Sequence, residues 1–157
     1  MRRALVVRAV VSSAALVSFV AGLLALAKGS SPQSANLPLA GAALVLVGAL
    51  TRRYGIALPG TGFSSYVIGR MLFAILDRGW AFAAVTAPFV MLVGDVVLRR
   101  LPLRGALNNA AHLTAGTAFV GLMYGRIGGE TGAGALSAGN VGPIAFALVL
   151  LPMIVNG

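Results

Sequence analysis

Positive charge in this 157-residue chain falls in short clusters at the ends of long apolar segments. Eight of the twelve basic residues lie in three places: Arg2, Arg3 and Arg8; Arg52 and Arg53; Arg99, Arg100 and Arg104. Apolar stretches separate these clusters, and every second gap between stretches is poor in cations. Chains that cross a bilayer several times keep their basic loops on the cytoplasmic side, so this alternation predicts a multi-pass helical membrane protein. The composition argues the same way. Only 10% of residues are charged and 59% are hydrophobic, against about 25% charged in a soluble domain. There is too little polar surface to cover a water-soluble globule.

Six apolar segments follow one another, at about 5–27, 37–51, 63–76, 80–98, 105–127 and 143–157. They predict one all-α, polytopic domain over 1–157 with about six transmembrane helices. With the N-terminus inside, the inner loops and ends hold eight basic residues. The outer loops hold three, Lys28, Arg78 and Arg126. An even number of spans then leaves both termini cytoplasmic. Segment 29–36 reads as a loop, and 54–62 as a cytoplasmic loop or a short re-entrant segment. Residues 128–142, with six glycines in fifteen positions, read as an outer loop. Ala25-Leu26-Ala27 resembles a signal-cleavage site. The apolar stretch before it is longer than a usual leader, which favours an uncleaved anchor. Segment 143–157 is at the lower limit for a span and no basic stop follows it, which raises the expectation of a cytoplasmic effector domain beyond Gly157.

The net charge of +9 reads as topogenic charge with attraction to anionic headgroups. No soluble basic domain exists that would bind nucleic acid. The absence of cysteine excludes disulfides, thiolate metal sites and cysteine nucleophiles.

Five polar positions inside the spans are candidates for function. Arg70 lies seven residues into 63–76, about 10 Å deep at the helical rise. Intramembrane charge suggests a ligand or gating role; a structural ion pair and snorkelling to the interface are the alternatives. Asp95 is the only acid inside a span and stands four residues before Arg99, a spacing that pairs on one helix face. Its other options are a pair with Arg70, a bond to segment 105–127, or ligand coordination. His112 follows Asn108 and Asn109 by about one turn. Arg70, Asp95, Asn108, Asn109 and His112 are therefore expected to converge on the cytoplasmic half, as a packing network or as a solute or proton site. One histidine and one nearby acid are too few to hold a metal, and no cofactor is expected. Gly121, Gly125 and Gly129 form a small-xxx-small face, which suits internal packing ahead of a homodimer. Nucleotide motifs fail: Ser65 and Ser137 stand where the third glycine of GxGxxG belongs, and the sole lysine is Lys28. No enzyme activity is expected.

The helix pair around Asp77-Arg78-Gly79, the acid Asp95 before Arg99-Arg100, and Asn108-Asn109 opening a small-residue helix that ends Tyr124-Gly125-Arg126 together resemble a known family. These are the MASE-type membrane sensor regions of bacterial signalling proteins, which precede HD-GYP, GGDEF or histidine kinase modules. The resemblance covers about half the chain. It implies a non-catalytic sensory or ligand-binding module of a bacterial inner membrane, reading the bilayer or a small ligand for a cytoplasmic effector or partner protein. A weaker similarity is to the substrate-binding subunits of energy-coupling-factor transporters, carried by Ala14, Ser18 and Gly22 at four-residue spacing. That similarity implies solute uptake. A membrane scaffold without ligand is the remaining alternative.

Overall fold

The computed structural model describes residues 2–28, 36–53, 56–58, 62–64 and 67–156. Among the described residues six α-helices run in chain order: α1 Arg2–Lys28, α2 Leu37–Arg53, α3 Val67–Arg78, α4 Trp80–Leu92, α5 Leu103–Arg126 and α6 Val141–Asn156. One hairpin, β1 Ile56–Leu58 with β2 Gly62–Ser64, joins α2 to α3 in antiparallel register. Among the described residues three helical stretches are long and apolar enough to cross a membrane: Leu5–Lys28, Trp80–Leu98 and Ala138–Val155. This is an apolar helical bundle of the membrane-protein kind.

Helix α4 lies at the centre, packed against α1, α2, α3 and α5. Its sequence is apolar on all sides, as a helix surrounded by others must be, and Ala83, Ala84 and Ala87 let its neighbours come close. The core between α3, α4, α5 and α6 is filled by Met71, Ile75, Val90, Leu113, Val120 and Leu151. Pro88 sits inside α4 and brings no N–H to the Ala84 carbonyl one turn back. Five residues later the helix widens into a π-helical turn, Val93–Leu98. A reversal at Arg100, with φ 55, and Pro102 as the residue before α5 then turn the chain back.

The helix boundaries of five segments fall within a few residues of the sequence expectation. The third does not. The expected span 63–76 begins as strand β2, and α3 starts only at Val67. Twelve residues of helix are about 18 Å long, short of a ~30 Å hydrocarbon core. Arg70 is consequently one turn from the start of α3, about 5 Å along it, rather than 10 Å deep. Residues 54–55 and 59–61 of the expected loop, and 65–66 of the expected third span, lie outside the described residues.

Helix α1 is the least covered element. Its buried positions are Ala15 and Gly22, while Leu5, Val10, Leu16, Val17 and Leu24 are exposed. Gly22 meets the Ala81 carbonyl and Val85 of α4. Ala14 is exposed, so the face that packs runs through Ala15 instead.

Candidate functional site

Where α2 ends, the sequence Thr51-Arg52-Arg53 places one arginine inward and one outward: Arg52 is buried and Arg53 exposed. The Arg52 stem crosses α4 directly over Gly94. A β-carbon at Gly94 would lie 2.8 Å from the Arg52 Cβ and 2.9 Å from its Cγ, so this crossing needs glycine. The guanidinium beyond it reaches Asp95, whose exposure is 0%. Arg52 Nε donates to Asp95 Oδ1 at 2.8 Å and Nη2 to Oδ2 at 3.3 Å. This is the two-pronged geometry that suits arginine and carboxylate. Arg99, one turn on, donates from Nη1 to Oδ1 at 3.1 Å. Asn109 of α5 donates from Nδ2 to Oδ2 at 2.8 Å.

Each carboxylate oxygen thus accepts two donors, which fills its capacity. The π turn is part of the arrangement: Arg99 N–H bonds to the Gly94 carbonyl, five residues back, and Leu101 N–H bonds to the Asp95 carbonyl at 2.8 Å. A buried carboxylate whose two oxygens each accept two donors has no lone pair left for a ligand. What it can do is hold α2, α4 and α5 together at one end of the bundle. Removing one partner of such a pair leaves a buried charge uncompensated, at about 3–5 kcal/mol. Among the described residues no group of three or more His, Cys, Asp or Glu side chains could hold a metal ion.

The structure brings Asp95 together with Arg99, at the four-residue spacing, and with Asn109 of the fifth segment, and leaves the other candidates elsewhere. Asn108 and His112 are half-buried on α5 and bond to no described residue. Arg70 is exposed and lines a groove between α2 and α3. Gly121 packs tightly, its α-carbon facing the Trp80 backbone and Cβ of α4. Gly125 faces open space, and Gly129 lies beyond α5 under the Tyr124 ring.

Sequence reasoning treated Arg52 only as a topogenic charge. The available signal was charge balance: a buried acid needs a cation, and Arg52 stands at the same expected end of its helix. A second cluster was also missed, at the opposite end of the bundle. Asn140 donates to the Tyr124 hydroxyl, to the Ala135 carbonyl at 2.9 Å and to the Glu130 carbonyl at 3.2 Å, and accepts from Glu130 N–H at 3.0 Å. The Tyr124 hydroxyl in turn donates to the Glu130 carbonyl. Gly128, at φ 85, closes α5: its N–H bonds to the Gly125 carbonyl and that of Gly129 to the Tyr124 carbonyl. This pair of bonds is a Schellman cap. The glycine-rich loop is therefore built around one asparagine.

No protein-family model, no curated protein and no solved structure matches this chain. The fold and the site define it as an apolar helical bundle with a buried ionic latch.

Proposed function

We propose that the chain is a non-catalytic sensory or ligand-binding module of a bacterial inner membrane, with six helices in the bilayer, α3 too short to cross it alone, and both termini cytoplasmic. In this reading the Arg52–Asp95–Asn109 latch is the element whose engagement is read on the cytoplasmic side, by an effector domain or a partner protein. The observation that carries it is the buried Asp95 on a π turn, tied to three helices at the end where the basic loops leave the bundle. Single π turns inside α-helices occur frequently at functional positions, and a wide turn can relax to α geometry by shifting one residue. A signal needs such a two-state element. The alternative of a solute-uptake subunit rests on the small residues of α1, and the outward position of Ala14 weakens that likeness.

Hydrogen exchange of segment 93–102 tests the reading, with the full chain in nanodiscs of two acyl lengths. A sensor changes its exchange there with bilayer thickness, and Arg52→Gln fixes the segment in the fast-exchanging form. Exchange indifferent to the bilayer in both proteins would favour a scaffold. A reporter enzyme inserted in the 128–142 loop tests the topology, which requires activity on the outer side only.

A further inference from the structure

Between α2 and α3 an open groove of about 260 Å³ runs along the outside of the bundle. Its walls are apolar, with Ala43, Leu44 and Val47 of α2, Phe73 and Ala74 of α3, and Phe82 of α4 among its lining. Arg70 stands at its end nearer the Arg52 latch and Asp77 at the other. The two ends differ in charge. Asp77 is neutralised by its neighbour Arg78 at 3.2 Å, whereas Arg70 is exposed and makes no hydrogen bond or ion pair with any described residue. From Arg70 to Asp77 is seven residues, about 10 Å of helix, within the ~15 Å depth of one leaflet's hydrocarbon. Arg53, Arg100 and Arg104 are exposed at the same end of the bundle as Arg70, where clustered cations attract anionic headgroups.

We infer that this groove binds an anionic phospholipid, its phosphate on Arg70 and one acyl chain along the apolar trough between α2 and α3. The inference rests on the membrane-spanning reading above and adds a ligand to it. An exposed cation that pairs with no described residue, at the mouth of an apolar trough, matches an amphiphile with a negative head. The arginine stem can lie along the trough and present its guanidinium at headgroup level.

Native mass spectrometry of the full chain tests this, with the protein taken from a mild detergent holding equal phosphatidylglycerol and phosphatidylcholine of the same acyl length. The wild-type protein is expected to retain phosphatidylglycerol in preference. Arg70→Gln should lower that preference about fivefold, the scale for one arginine at an anionic surface. Arg126→Gln, exposed at the opposite end of the bundle, should leave it unchanged. Ala43→Phe, at an exposed position that would fill the trough, should reduce retention of both lipids. Equal retention of the two lipids by the wild type, or a preference that survives Arg70→Gln, would overturn the proposal. So would full competition by glycerol phosphate, which has the head and no chain. The native chain is free of cysteine, so Phe73→Cys gives a single probe of the spanning reading itself. Shielding of that thiol from a membrane-impermeant maleimide, with no lipid preference, sinks the lipid site alone; labelling sinks the spanning reading as well.

Discussion

The two ends of the bundle are held by opposite kinds of chemistry. At one end a carboxylate and two guanidiniums join helices that are far apart in sequence: Arg52 and Asp95 are 43 positions apart. At the other, neutral groups close a loop on itself, with Tyr124 and Asn140 only 16 positions apart. An ion pair across helices fixes how whole helices dock, and its failure exposes a charge. A neutral local cluster orders only the segment between its members, and its failure leaves amides that water or neighbouring groups can satisfy. The ionic end should therefore govern the stability of the whole bundle, and the neutral end the order of one loop.

The sharpest way to break this contrast is Asp95→Ala, which removes the carboxylate that Arg52, Arg99 and Asn109 all bond. Its expected cost is about 3–5 kcal/mol, read as a large drop in thermal midpoint in detergent with loss of protection in α2, α4 and α5 together. Asn140→Ala comes next. It removes three donated bonds and the acceptor of Glu130 N–H, for about 2–3 kcal/mol where those partners stay buried. Hydrogen exchange should rise in 127–140 and stay unchanged around Asp95. Tyr124→Phe keeps the ring over Gly129 and removes one hydroxyl, for about 1 kcal/mol. The smallest change has the opposite sign. Arg100 holds a left-handed backbone at φ 55, a conformation that costs a side-chain-bearing residue about 1 kcal/mol. Arg100→Gly should raise the midpoint slightly, and a fall would mean that the Arg100 side chain does more than occupy the turn.

Much of the helical layout was legible because long apolar runs between charge clusters have few other solutions. The exception, α3, shows the limit. Phe63 looked like the start of a span by hydropathy, but Gly60, Gly62, Ser64 and Ser65 break helical continuity around it, and the chain pairs as a hairpin first. The Asp95–Arg99 contact was legible because four-residue spacing is local geometry. The Arg52 contact was not, because it depends on how closely α2 approaches α4. That approach is set by Gly94 under the Arg52 stem and by Gly48 against Val90. The glycine ladder failed for a geometric reason. At 100° per residue, each four-residue step drifts about 40° around the helix, so Gly121 and Gly125 do not share one contact line. Gly129 is already past the helix end.

The most direct test of the central claim is a double-mutant cycle between Arg52 and Asp95, read by unfolding of the full chain in detergent. Asp95→Leu should destabilise by about 3–5 kcal/mol and Arg52→Met by less, because Arg99 and Asn109 still bond the carboxylate, while the double variant should lose clearly less than the sum of the two. Losses that simply add would contradict the account, because they would mean that the two side chains do not hold each other in the folded bundle.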